Sequence, residues 1–185
     1  MHITKTVLIP PTIGASLQPI LGKLAAAVLL GADFTYMAAA INKADCGVSG
    51  VTPIKGYLAT DASQFTAFLV PNAVFEGTAQ AMGITVTQLI ANFTAAQWRN
   101  IWLNHLVAGT NNLASMTNGS QLTTLLDANA KLVVTDNANA PQGKVLTTTG
   151  GTTGMGGTIG AAIVVKDISA SNGVAHVVAK ILIPN

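Results

Sequence analysis

Apolar residues fall at helical spacing in the first half of the chain and at strand spacing in the second. Phe34, Met37, Ala38 and Ile41 stand at i, i+3, i+4 and i+7, one face of a helix for which Asp33 is the natural N-cap. Thr85 with Gln88, and Thr94 with Gln97, have the capping-box spacing, in which a hydroxyl and an amide three residues on satisfy orphan backbone N–H groups. Helices are therefore predicted over Val86–Phe93 and Ala95–Leu106. In the second, Trp98, Ile101, Trp102 and His105 share a face that should be core, while Arg99, Asn100 and Asn104 point elsewhere. The segment Asp45–Tyr57 reads as irregular.

From Gln121 the period changes to two. Gln121–Leu126, Lys131–Thr135, Ile159–Lys166 and Val174–Ile183 are rich in Val, Ile, Leu and Thr and are predicted as strands. In the last, Ala175, Val177, Ala179, Ile181 and Ile183 form an apolar face, with Val174, His176, Val178 and Lys180 opposite. Gly150–Gly157 is too glycine-rich for an element interior and reads as a long hairpin loop. Helices first and strands second predict an α+β fold.

Composition narrows the function classes. Of 185 residues, 50% are hydrophobic and only 9% charged, which excludes a disordered polyelectrolyte. Nine Lys and Arg against seven Asp and Glu leave a net charge of +2, and the cations are scattered singly, so nucleic acid is not an expected partner. Cys46 is the only cysteine, which rules out an intrachain disulfide and a multi-thiolate metal centre; it is expected to be an unpaired, nonfunctional thiol. The longest apolar run, Leu24 to Ala32, is less than half the roughly 20 residues of a membrane span, so no transmembrane segment is expected. Met1-His2-Ile3-Thr4 does not begin a signal peptide, so either the protein stays inside the cell or its leader is expected to be removed or absent from this chain.

No catalytic or cofactor motif emerges. Gly154 and Gly156 are followed by Ile159 where a dinucleotide fingerprint requires glycine, and strand residues follow where a phosphate cradle requires a helix. Ser16, Ser49 and Ser63 do not sit in a nucleophile elbow. His2, His105 and His176 are far apart in sequence, and no carboxylate cluster resembles a calcium loop, so neither a metal nor another cofactor is expected. His105 is expected to be buried against Trp98 and Trp102 with its ring bonded to backbone. Asn92-Phe93-Thr94 and Asn118-Gly119-Ser120 match the glycosylation sequon at the frequency chance provides. Lys166-Asp167 reads as a solvated pair near a strand end.

Four stretches between Leu24 and Pro184 resemble the fasciclin I domain. Asp33–Ile41 is similar to the family's opening helix, and Phe65-Thr66-Ala67-Phe68-Leu69-Val70-Pro71-Asn72-Ala73-Val74-Phe75 to its first conserved box. Leu103-Asn104-His105-Leu106-Val107-Ala108-Gly109 resembles the central Tyr-His segment, and Asn172–Pro184, with its Asn-Gly-Val-Ala-His start, the second conserved box. The resemblance implies a fasciclin-like β-sandwich or wedge with a helical cap formed mainly by the N-terminal half. It implies a non-catalytic adhesion or matrix-interaction module, extracellular, cell-surface or periplasmic, whose partner is a protein or glycan on a cell surface or matrix. In matrix relatives integrin recognition is attributed to the Tyr-His segment and to an Asn-Lys-Asp-Ile-Leu stretch. Carried onto this sequence, those positions make Asn104, His105, Asp167 and Ile168 the interaction candidates.

One repeat stands out. His2-Ile3-Thr4-Lys5-Thr6-Val7-Leu8-Ile9-Pro10 aligns without gaps on His176-Val177-Val178-Ala179-Lys180-Ile181-Leu182-Ile183-Pro184. The expected organisation is an N-terminal arm, residues 1–20, that is the last strand of a preceding repeat plus linker, then a fasciclin-like domain over 21–185. The alternative to an adhesion module is a structural repeat that assembles with copies of itself by strand exchange.

Overall fold

The computed structural model describes residues 34–59 and 64–185. The arm at 1–20, the duplicated strand at 2–10, the apolar run at 24–32 and the Asp33 cap lie outside the described residues. Among the described residues, five helices, α1 (Thr35–Ala44), α2 (Ile54–Ala59), α3 (Asn72–Ala81), α4 (Val86–Asn92) and α5 (Ala95–Asn104), precede most of seven strands. The strands are β1 (Phe65–Leu69), β2 (Leu106–Ala108), β3 (Gln121–Thr123), β4 (Lys131–Asp136), β5 (Lys144–Thr149), β6 (Ala161–Ala170) and β7 (Gly173–Val178). They form one mixed sheet in the order β2-β1-β7-β6-β5-β4-β3, with β1 and β7 parallel and the other pairs antiparallel. An isolated bridge, Val107 to Thr124, brings the two ends of that order together, so the sheet curls back on itself. The architecture is α+β.

Local chemistry explains the helices. Both predicted capping boxes form: Gln88 N–H donates to Thr85 Oγ1 and Gln97 N–H to Thr94 Oγ1, with each glutamine carbonyl accepting from its threonine N–H. The N-cap position of α1 falls on Phe34 and carries no side-chain cap. Within the segment expected to be irregular, Ile54–Ala59 is helical because the Asp45 carboxylate accepts from the Ile54 and Lys55 N–H groups, 2.7 and 3.1 Å away. That cap lies nine residues upstream of the helix it serves, where no local pattern reveals it. Lys43 of α1 reciprocates at the end of α4, donating to the Ile90 and Ala91 carbonyls at 2.9 Å each.

An aromatic cluster joins the helices to the sheet. Trp98 and Trp102 stack at 5.7 Å and 12°, Phe75 packs on both, and Phe93 meets Trp98 edge-on at 5.1 Å. Each of these positions except Phe93 is buried, as are Ile101 and His105, so the face predicted for α5 is core. Asn104 is buried too, contrary to the expectation that it points away from the core.

The last strand departs most from its pattern. All six residues of β7 are buried, because β1 and β6 flank it and both sheet faces are covered; the single inward face predicted for it is therefore corrected. Ladder pairing ends at Val178 rather than Ile183. Gly173 opens the strand at φ 143, and a Cβ there would overlap the Phe65 carbonyl. The strand predicted from Ile159 begins at Ala161 and runs to Ala170, with Ile159 77% exposed. Gly150–Gly157 lies in the β5–β6 connection, as expected of a loop.

Candidate functional site

The C-terminal segment beyond β7 is held by side chains instead of a sheet ladder. Leu182 N–H donates to His105 Nε2 at 3.0 Å, and Asn104 Nδ2 donates to the Leu182 carbonyl at 2.9 Å. Asn104 and His105, at the end of α5, thus grip one residue, Leu182, by the two peptide groups that flank it. Thr158 does the same one residue either way: its hydroxyl donates to the Ile181 carbonyl and accepts from Ile183 N–H, both at 2.8 Å. Thr148 Oγ1 donates to the Ile183 carbonyl at 2.9 Å. These bonds meet the requirement that buried backbone groups be paired where no neighbouring strand can do it.

The backbone partners fix the tautomer of His105. A backbone N–H can only donate, so Nε2 is the acceptor; Nδ1 then carries the proton and donates to the Ile101 carbonyl at 2.8 Å. The ring packs on Trp102 at 4.8 Å, with Trp98 stacked behind it. Burial drives its pKa down from 6.5 to about 4, against the opposing pull of the Ile101 carbonyl.

His176 on β7 is the mirror case. Asp167 N–H donates to Nδ1 at 3.2 Å, so the proton sits on Nε2, which donates to the Asn111 carbonyl at 2.9 Å. The ring stacks on Phe68 at 5.6 Å and 25°. Burial lowers its pKa, opposed first by the Asn111 bond and then by the Asp167 charge. Asn111 is held in reach by buried Thr66, whose hydroxyl donates to the Gly109 carbonyl and accepts from Asn111 N–H. Both ring nitrogens of each histidine are thus engaged by backbone groups near neutral pH.

Of the four interaction candidates, Asn104 and His105 are each 1% exposed and commit their polar atoms to holding the chain. Asp167 and Ile168 lie together elsewhere, in the middle of β6 and not at a strand end. There the pairing with β7 steps from Val165–Val177 to Ile168–Ala175, three residues against two. This bulge exposes Lys166 and Asp167 and half-buries Ile168. Asp167 has φ 54, the left-handed region, and among the described residues it is the one non-glycine with positive φ. Its N–H bond to His176 and its carboxylate, which accepts from Leu113 N–H at 2.8 Å, hold it there. The sequence pattern missed Thr66, Asn111 and Thr158, each of which acts through a partner distant in sequence; only the tolerance of Asp for left-handed backbone hinted at the bulge.

Among the described residues no helix is long and apolar enough to cross a membrane, and Cys46 is exposed and unpaired. A search of the curated proteins finds no match. Among solved structures, the chain is similar to a FAS1 domain pair from the insect cell adhesion molecule fasciclin I, at 12% identity and a TM-score of 0.45 over 90% of this chain and 44% of that one. The chain thus spans less than half of that structure's length. The two polar clamps at Asn104-His105 and His176 fall within two of the sequence boxes that carry the fasciclin resemblance, and the family model described as Fasciclin domain matches residues 33–184: the chain belongs to the fasciclin domain family.

Proposed function

We propose that this chain is a non-catalytic adhesion module, working outside the cell or on its surface, that binds a protein or glycan through the bulge at Lys166-Asp167-Ile168. The observation that carries this reading is the strained, exposed Asp167. Left-handed backbone at a non-glycine residue costs of order 1–3 kcal/mol and tends to persist where it displays a functional group. Here it puts a carboxylate and a lysine side by side on the surface, next to a half-buried isoleucine. Family membership supports an adhesion role, and Asn104 and His105 serve it by fixing the C-terminal segment rather than by touching the partner. A screen of the purified chain against matrix-protein and glycan arrays tests the reading. Saturable binding to at least one member is expected, and none to any would refute it.

A second reading, a structural repeat joined to its copies by strand exchange, is favoured by one observation. Where the segment at 2–10 repeats that at 176–184, the four identical positions are His176, Leu182, Ile183 and Pro184. All four are held by partners distant in sequence: His176 by Asn111 and Asp167, Leu182 by Asn104 and His105, Ile183 by Thr148 and Thr158, and the Pro184 carbonyl by Thr153 and Gly157. Deletion of 2–10 discriminates: strand exchange expects lost oligomers in light scattering, and the adhesion reading expects no change.

A further inference from the structure

The bulge that displays Asp167 is locked by a single neutral imidazole. His176 Nδ1 accepts from Asp167 N–H, the bond that fixes the left-handed turn from the inside, while the Asp167 carboxylate accepts from Leu113 N–H and fixes it from the outside. The imidazole can serve only while Nδ1 is unprotonated, because Nε2 already donates to the Asn111 carbonyl and both ring nitrogens have backbone partners of fixed polarity.

We propose that the Lys166-Asp167-Ile168 bulge is an acid-responsive device: proton uptake at His176 replaces the Asp167 N–H bond with a clash of two donors, draws the Asp167 carboxylate from Leu113 to the ring, and releases the left-handed turn. No covalent bond changes. The proton is taken up from the medium on Nδ1, and the imidazolium gains the Asp167 carboxylate, the anion that acts on the ring among the described residues.

Among the described residues, that carboxylate is the one compensating group. From β1 the ring meets Phe68, and the neighbouring Thr66 carries no charge; from the segment between β2 and the 3-10 turn at Leu113–Ser115 it meets Asn111. No titratable residue lies between Gly109 and Ser115. On β6, Lys166 is exposed beside Asp167, and Asp167 is the charge that acts on the ring. Burial makes the neutral form the resting state near pH 7, so the turn is closed there and opens as the medium acidifies. With both restraints gone, a non-glycine residue at φ 54 relaxes toward extended backbone, which alters the facing of Lys166 and Ile168. The effect on adhesion rests on the reading of the bulge as the contact surface; the device does not, and its test needs no partner.

The test is a pH titration of the whole chain by amide and imidazole nitrogen NMR. The His176 ring is expected to pass from the Nε2–H tautomer to the imidazolium while the Asp167 and Leu113 amide signals shift with the same midpoint and the rest of the spectrum stays dispersed. Asp167→Asn keeps an acceptor for Leu113 and tolerates left-handed backbone; it is expected to lower the His176 midpoint and to leave the Leu113 amide unmoved. His176→Gln is expected to abolish the step at both amides. Different midpoints for the ring and the two amides, an unchanged midpoint in Asp167→Asn, or collapse of all signals before the ring titrates would each overturn the proposal. A pH-dependent turn in a chain that binds nothing on the arrays would refute the adhesion reading and leave the device standing.

Discussion

His105 Nε2 accepts the N–H of Leu182, 77 residues away, at 3.0 Å, and by that bond the end of α5 holds the end of the chain. The same ring donates to Ile101 within its own helix, so one side chain closes α5 and anchors the C-terminal segment together.

Removing that ring exposes the cost. His105→Ala is expected to destabilise the domain by about 2–4 kcal/mol, since it leaves the Leu182 N–H and Ile101 carbonyl unpaired and a void beside Trp102. Urea unfolding measures the loss, and hydrogen exchange at Leu182 is expected to accelerate beyond what the global change accounts for.

Asn104→Ala should act on the same residue, Leu182, through the next peptide group. It orphans the Leu182 carbonyl, and a loss of about 1–3 kcal/mol is expected. Because both side chains anchor Leu182 and are themselves neighbours at the end of α5, the double variant is expected to cost less than the sum of the singles, which a double-mutant cycle reads.

Stability should depend on pH in a stated window. His105 titrates near 4 when folded and near 6.5 when unfolded, so between those values the unfolded chain binds more protons. Stability is therefore expected to be level above about pH 6.5 and to fall as pH drops toward 4, by about 3 kcal/mol from this residue, with His176 adding in the same direction. Urea midpoints across that range check it, and His105→Gln is expected to flatten the slope.

The helix caps give a smaller effect. Thr94→Ala and Thr85→Ala each remove a hydroxyl that accepts from a first-turn N–H, and each is expected to cost about 1 kcal/mol by thermal unfolding.

What could be read in the sequence follows the range of the interactions. The boxes at Thr85 and Thr94 and the face Trp98, Ile101, Trp102, His105 depend on neighbours three or four residues off, so their spacing shows. The α2 helix does not, since its cap is Asp45. The β1 residues Phe65–Leu69 are buried without alternation and give no period of two. The apolar alternation through Ile183 is present in the sequence but not in the burial: Ala179 is exposed and Leu182 is buried, because beyond Val178 the segment is gripped by Asn104, His105, Thr148 and Thr158 rather than paired in a ladder. The resemblance points to Asp167 and Ile168 as candidates without revealing the bulge they share. The left-handed turn beneath them depends on His176, Asn111 and Thr66, which only the folded chain brings together.

The central claim is that the chain adheres through the Asp167 bulge. Equilibrium affinity for an array-identified partner, measured at neutral pH for the wild-type chain and for Asp167→Asn, tests it most directly. The account expects binding at least about tenfold weaker in the variant, equivalent to ~1.4 kcal/mol, with an unchanged melting temperature. Equal affinity in the two chains would contradict it.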